Sequence, residues 1–554
     1  MTKTIARRPL LLAGLFGVVS LLPACGGIAA RGEPPVDVCV YGATSAGVVA
    51  AIELARQGRS VTLIDADGWI GGLSTSGLGA TDVGNKDAIG GIAREFYRRL
   101  KAHYSDAANW TAERPADFKG RGHHESGDAA WTFEPKAATA VFDAMLAEHG
   151  IVAVRTRLDR GPGGVEKQGG KILRIRCEDG SVVDAKMFLD CTYEGDLFAA
   201  AGCSFIIGRE SNAAFGETLN GVQVQNATKH QFTLRVDPYV VPGDPASGLL
   251  PHVQAGGPGV EGSGDHRMQA YCFRICSTDD PANRIAWRQP DGYDDKEFEV
   301  LFRYFEAGSK LAPWHPVWMP NRKTDTNNNG AFSTDYLGAN YDYPAASYAE
   351  REAIVQEHRR YQEALLWTLA NHPRVPEKVR AEFSRFGLAK DEFVGNDHWP
   401  PLLYIREGRR LLGEHVVHEG HCMGRAVDPD PVGMGAYAMD SHNVQRYVAA
   451  DGSVRNEGDV QVRVPQPYGI SYRAMTPRRG EADNLLVPVS LSATHIAFGS
   501  IRMEPVFMVL AQSAAIAAGL ALEQGKTVQD VAYGELQPRL LAAGQVLTWP
   551  TPKR

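Results

Sequence analysis

Residues 36–72 read VDVCVYGATSAGVVAAIELARQGRSVTLIDADGWIGG, and this stretch decides the fold. The run 36–41 is short, apolar and β-rich, suited to a strand buried on both faces. Gly42 then allows a tight turn into a helix. The loop Gly42-Ala43-Thr44-Ser45-Ala46-Gly47 so presents free backbone N–H groups and a positive dipole end to a pyrophosphate. Gly47, one turn in, lets the helix lie close to the sheet. Gly58 stops that helix, and 60–64 reads as the next strand. Asp65 follows Gly42 by about the twenty residues expected of the acid that holds a ribose hydroxyl. Together these parts read as a dinucleotide-binding βαβ unit, against the plainer reading of a βαβ unit without a ligand. Thr44 replaces the middle glycine of G-x-G-x-x-G. Its Cβ points toward the pyrophosphate, so either the backbone sits further away or the hydroxyl makes the contact.

The neighbouring sequence selects the dinucleotide. Asp65-Ala66-Asp67-Gly68-Trp69-Ile70-Gly71-Gly72 resembles the second flavin loop of the glutathione-reductase-like superfamily, and NAD-linked enzymes do not typically place a Gly-Gly pair there. Asp190-Cys191-Thr192 resembles the strand end that approaches the adenosine diphosphate half in that superfamily. Near the far end, 484–489 looks like a strand, and Ser500-Ile501-Arg502-Met503-Glu504-Pro505 leads into an alanine-rich helix from 506 to about 523. That segment resembles the carboxy-terminal flavin motif, in which a helix start stabilises negative charge at N1 and O2 of the isoalloxazine. Alone it would read as an ordinary buried helix. The resemblance implies FAD, with contacts from Gly42, Thr44, Ser45, Ala46, Gly47, Asp65, Gly71, Gly72, Leu73, Ser74, Thr192, Arg502, Met503 and Glu504.

At 554 residues the chain is long enough for two or more domains. A net charge of −7 and the lack of a long basic run argue against a nucleic-acid surface. Lys3, Arg7 and Arg8 followed by apolar 10–22 read as an export signal. Leu22-Pro23-Ala24-Cys25 resembles a lipobox that would leave a lipid-anchored Cys25 at the mature amino terminus, with Pro23 less usual there. A plain signal-peptidase site is the other reading. Arg7-Arg8 partly resembles a twin-arginine signal, which would carry a cofactor-loaded protein across folded. The expected location is therefore the periplasm or its membrane surface. Of the eight cysteines, seven remain beside Cys25, scattered over apparent strands rather than in a disulfide framework. Cys272 and Cys276 read as small core side chains on one strand face, and no cluster has zinc or iron–sulfur spacing. No metal site is expected.

Along the chain, Glu134-Pro135 opens a helix to about His149, and 151–157 follows as a strand. Segments 165–176 and 181–189 read as a hairpin-like pair about the turn Glu178-Asp179-Gly180. Between about 208 and 475 turns and aromatics multiply. One long helix there starts at the capping box Ser347/Glu350 and stops before Pro373, with His358 on its apolar stripe as a core histidine. No second glycine fingerprint follows a strand, so a nicotinamide domain is not expected. The fold class is α/β: a Rossmann-like FAD-binding domain, a βαβ parallel sheet with a ββα-type flavin fold, carrying an inserted α+β substrate domain. The divisions are 1–25 for the signal, 34–207 and 476–554 for the two parts of the FAD-binding domain, and 208–475 for the substrate or cap domain.

The chain as a whole resembles a bacterial FAD-dependent oxidoreductase family whose exported members are often labelled xanthan lyase. The resemblance is carried by residues 71–82, 89–96, 133–135, 192–196, 323–330, 439–443 and 501–505. It departs at Gly408, where alanine is expected, and at 418–422. The lyase label gains nothing from the residues, since polysaccharide β-elimination does not need a flavin.

Hydride transfer to flavin N5 needs a base for the departing proton and positive charge or N–H groups near N1 and O2. Arg502 offers the charge, His495 is the first candidate base and His442 the next, and Asp82 is placed to line the flavin ring after the Gly71-Gly72 loop. His495 could equally pack a loop, and Arg502 could pair with Glu504 or the pyrophosphate. His398-Trp399 reads as a sugar-stacking surface or, more plainly, a packed turn. The Asn327–Asn329 run reads as a polar loop or a polyol-binding element. The leading expectation is an exported enzyme oxidising a small polar or carbohydrate-like substrate, passing electrons to oxygen, a quinone or a periplasmic carrier. The alternatives are a surface glycan-binding lipoprotein and a flavin enzyme with elimination or reductase chemistry.

Overall fold

The computed structural model describes residues 34–123 and 127–550; the export signal and Cys25 lie outside them. The strands Val36–Tyr41 (β1), Val61–Asp65 (β2), Val154–Arg155 (β3), Val165–Gln168 (β4), Lys171–Arg176 (β5) and Val182–Asp190 (β6) form one sheet in the order β3-β2-β1-β6-β5-β4. β1, β2, β3 and β6 run parallel, as the buried apolar runs of β1 and β2 require.

β6 explains how the two ends of the chain meet. It is nine residues long and offers β1 one complete edge. Its other edge is shared. The first half pairs antiparallel with β5, and the second half, Phe188 and Leu189, pairs parallel with Leu485–Leu486. Asn484 fixes this junction: its amide donates to the Ile172 and Lys186 carbonyls and accepts from the Ile172 N–H.

Above the sheet the first helix, Ser45–Arg56, packs along the helix Glu504–Gln524. Small residues permit the close approach; a Cβ on Gly519 would fall 2.0 Å from the Gln57 side-chain oxygen. Helix Glu504–Gln524 is long and apolar enough to cross a bilayer, but it is buried in the protein. Its Gln512 ties two further elements, donating to Glu53 and accepting from the Ile92 N–H.

The intervening chain builds an antiparallel five-stranded sheet in the order 314–319, 323–328, 275–278, 387–389, 284–285. The long helix runs Tyr348–Asn371 behind a formed capping box, and His358 is a core residue bonded through Nδ1 to the Ile354 carbonyl.

Two expectations need correction. Residues 165–176 are themselves a hairpin turning at Gly169-Gly170, because Gly169 adopts a positive φ of 60° that breaks the run. Asn327 and Asn328, expected in a polar loop, end the strand Lys323–Asn328. Its polar side chains are buried against partners: Asp325 on Arg274, and Thr324 on Ser277. All seven described cysteines are free and buried.

Lys323 is the most costly of these buried groups. Its ammonium lies 2.8 Å from Glu134, 2.7 Å from Asp391 and 2.6 Å from Glu392, joining the helix start at Pro135 to the second sheet. Removing one partner of a buried ionic cluster leaves charge without compensation, so Lys323→Met is expected to cost about 3–5 kcal/mol. Urea denaturation followed by circular dichroism checks this; an unchanged midpoint would contradict it.

Candidate active site

The cofactor cradle is built from close backbone approaches. Gly42 has φ +99°, and a Cβ there would lie 2.9 Å from the Cys191 carbonyl carbon. A Cβ on Gly47 would fall 1.8 Å from the Gly42 oxygen, so the turn admits no larger residue. Thr44 caps the first helix. Its hydroxyl accepts from the Gly47 N–H at 3.3 Å and donates to the Cys191 carbonyl at 2.7 Å, stitching the loop to the end of β6. The hydroxyl is therefore committed inward, to the Cys191 carbonyl and the Gly47 N–H, a tie that the sequence did not suggest. Ser45 and Ala46 lie in the first turn, where the N–H groups have no carbonyl one turn back and remain for a ligand.

Asp65 also differs from expectation. Its carboxylate turns back on its own loop and accepts from the Trp69 N–H at 3.0 Å, and burial pushes its pKa up. A short aspartate forms such a turn readily. Ala66 and Asp67, rather than Asp65, line the adjoining cavity.

The Gly-Gly loop closes the cradle. Gly71 donates to the Ala43 carbonyl at 2.8 Å, and a Cβ on Gly72 would come 2.3 Å from the Tyr193 phenol oxygen. That phenol accepts from the Leu73 N–H at 3.0 Å and donates to Glu504 at 2.8 Å. Glu504 also accepts from Ser45 at 2.5 Å and Ser74 at 3.2 Å. Met503 is buried at the cap of the same helix, and Thr192 donates to Asp190 at 2.6 Å.

Two cavities meet at Tyr193 and Ile405. One, of about 170 Å³, is lined by Tyr41, Asp67, Arg157, Thr192, Glu194 and Arg351 among others. The second, of about 10 Å³, is lined by apolar Leu73, Val489 and Phe507 and by polar Tyr404, Arg406 and Arg502 among others.

The polar wall of the second cavity is an ordered set of charges. Arg502 donates to the Tyr404 hydroxyl at 2.8 Å and the Asp440 carbonyl at 2.9 Å, and lies 3.6 Å from the Asp440 carboxylate. Burial, with Asp82 nearby, pushes the Asp440 carboxyl up to about 6 against the pull of Arg502. Asp82 faces Tyr437 and raises its phenol pKa. Arg406 lies 3.0 Å from Asp335, which it holds ionised, and also donates to Cys272 Sγ at 3.1 Å. Asp335 in turn accepts from His442 Nδ1 at 2.7 Å. Burial and Arg406 push His442 down to about 3, so its ring is neutral and Nε2 is a lone-pair acceptor.

The profile of the family described as FAD dependent oxidoreductase matches residues 37–540. The chain belongs to the FAD dependent oxidoreductase family. Among solved structures it is similar to L-amino acid deaminase from Proteus vulgaris, at 16% identity over 33% of this chain and 55% of that one, with a TM-score of 0.22. It is similar to L-proline dehydrogenase from P. horikoshii, at 16% identity over 32% and 59%, TM-score 0.22. A third is CabE, an aromatic hydroxylase from angucycline biosynthesis, at 16% over 32% and 35%, TM-score 0.23. Each match spans less than two thirds of the other protein. No curated protein matches the chain.

The residues of this FAD dependent oxidoreductase fit its cofactor. The helix N-terminus suits the pyrophosphate, the glycines let the loop, the helix and the end of β6 close up around it, and Arg406 and Arg502 each keep a buried Nε–H with no protein partner. Among the sequence candidates, Arg502 lines the cavity, while Asp82 and His442 belong to the charge network behind it. His495 does not line it. Its Nδ1 is held by Glu407 at 2.7 Å in a separate buried cluster with Arg410, so it loses first place as base. Trp399 is 2% exposed and packs edge-on against Phe273, the packed-turn reading of His398-Trp399.

Sequence reasoning missed Asp440, Tyr404, Arg406 and Asp335. Asp440 stands two residues from His442, and its neighbourhood carried the only local signal.

Two groups have metal-like spacing. In one, His415, His421 and Asp428 converge, but His421 Nδ1 accepts from the His418 N–H. Nε2 therefore carries the ring proton and faces Asp428 as a donor, not a metal as a ligand. In the other, Glu134, Asp391 and Glu392 already surround the Lys323 ammonium.

Proposed function

We propose that this enzyme oxidises a small polar or carbohydrate-like substrate at a carbon bearing a hydroxyl or amine, with Asp440 as the base. The observation that carries the reading is a part-buried carboxyl held near neutrality beside Arg502 and Tyr404. Bound FAD supplies the hydride acceptor at N5. Asp440 takes the proton of the reacting hydroxyl or amine, and Arg502 and Tyr404 hold the heteroatom through N–H and O–H groups. Neutral His442 offers Nε2 to a second substrate hydroxyl, its ring aimed by Asp335. Leu73, Val489 and Phe507 exclude water from the opposite wall.

The same proposal places the reaction outside the cytoplasm on a lipid anchor at Cys25, with oxygen, a quinone or a periplasmic carrier taking the electrons. Its support is the sequence of residues 1–25. Cell fractionation tests it: Cys25→Ser is expected to move the protein from the membrane to the soluble periplasm, and an unchanged membrane fraction would contradict the anchor.

Asp440 acts only when ionised, which sets the sign of the pH dependence. Flavin reduction under anaerobic stopped flow, with a panel of sugars, polyols, hydroxy acids and amines, should accelerate about tenfold per pH unit below about 6 and level off above it. Asp440→Asn is expected to lose about 10²- to 10⁴-fold and the pH step with it. Bleaching by no member of the panel would count against the reaction class; an Asp440→Asn enzyme that kept the step would remove Asp440 as base.

A further inference from the structure

Glu504 opens the helix Glu504–Gln524, is 3% exposed, and pairs with no lysine, arginine or histidine among the described residues. Three hydroxyls satisfy it instead: Ser45 from the first helix, Ser74 from the turn Gly72–Thr75, and Tyr193 from the segment after β6. Tyr97, on the helix Gly91–Ser105, also faces it, and Glu504 contributes to raising that phenol's pKa. None of these neighbours is basic. Among the described residues the positive potential it meets is that of backbone N–H groups: Ser74's, and the N-termini of its own helix and of Ser45–Arg56.

The second of these N-termini is also the anion site of the cradle, at the start of the helix Ser45–Arg56. FAD therefore brings its pyrophosphate charge within one side chain of a buried carboxylate that has no counter-ion. Like charges sharing a desolvated site cannot both remain ionised without loss of affinity, and the pyrophosphate is the stronger acid.

We propose that Glu504 is the proton-linked residue of the cofactor site: its carboxylate takes one proton from solvent as FAD binds, and the neutral carboxyl keeps its place among Ser45, Ser74 and Tyr193. The exchange balances as one carboxylate and one solvent proton giving one carboxylic acid. In the neutral form the new O–H donates to the Ser45 oxygen, while Tyr193 and Ser74 still donate to the carboxyl. Burial already favours this form in the free protein. The linkage sign follows: the FAD-bound state has the higher carboxyl pKa, so binding is strongest where the proton is available and weakens as pH rises.

The test is FAD titration of the deflavinated protein, read by quenching of flavin fluorescence from about pH 5 to about pH 9. The wild-type Kd is expected to be flat at low pH and then to rise by up to about tenfold per pH unit once Glu504 ionises in the free protein. Glu504→Gln keeps the shape without the charge; it should lose that rise and bind FAD more tightly than wild type at the alkaline end. Tyr193→Phe removes one donor to the carboxylate and should move the onset to higher pH. A Glu504→Gln profile parallel to wild type overturns the proposal, as does a wild-type Kd that is flat throughout. If circular dichroism shows that Glu504→Gln does not fold, an unmoved onset in Tyr193→Phe overturns it instead.

Discussion

The contact between the helices Ser45–Arg56 and Glu504–Gln524 constrains the rest of this structure. Their N-termini converge on the Glu504 carboxylate, which Ser45, Ser74 and Tyr193 reach from three separate elements. Burying a carboxylate without a cation is costly, and hydroxyl hydrogen bonds offset the cost only if all three donors stay in place. The loop at Gly71-Gly72, the end of β6 and the helix start after Met503 are thereby held in one arrangement. The cofactor cradle and the wall of the narrower cavity both take their positions from it.

The sheet repeats that logic at the backbone level. β6 divides its outer edge between a local hairpin and a strand from near the end of the chain. A chain that builds one sheet from both ends must project the middle as an excursion. That excursion returns Tyr404 and Arg406 to the cavity beside Leu73 and Phe507, and sets Asp440 next to Arg502, which lines it. Chemistry supplied by the middle of the chain thus faces a cofactor site supplied by its ends. Lys323, surrounded by Glu134, Asp391 and Glu392, bolts the two together.

Much of the cofactor half was legible in the sequence because its signals are local. Gly42, Gly47 and Gly72 announce backbone approaches that leave no space for a side chain, and Ser347 with Glu350 announces a helix start three residues apart. Contacts between distant residues leave no such trace. Nothing around Thr44 shows that its hydroxyl turns to Cys191, and nothing around Asp65 shows that the carboxylate folds onto Trp69. The Asn327–Asn329 run reads as a loop because the strand that contains its first two residues finds its partners, around Arg274 and Ser277, some fifty residues away. His495 attracted attention as the titratable group nearest the carboxy-terminal motif. Asp440, which burial and Asp82 tune, is ordinary in sequence and distinctive only in its surroundings.

The central claim is that one FAD site is assembled from residues 42–74, 190–193 and 484–507, and that the middle of the chain supplies its reacting face. The most direct measurement is a crystal structure of the flavin-loaded enzyme. The account predicts ring density among Leu73, Val489, Phe507, Tyr404 and Arg502, with the narrow cavity there widened to admit it, and the pyrophosphate at the start of the helix Ser45–Arg56. Ring density elsewhere, such as in the cleft beside Trp287 and Trp399, or a pyrophosphate away from the first helix, would contradict it.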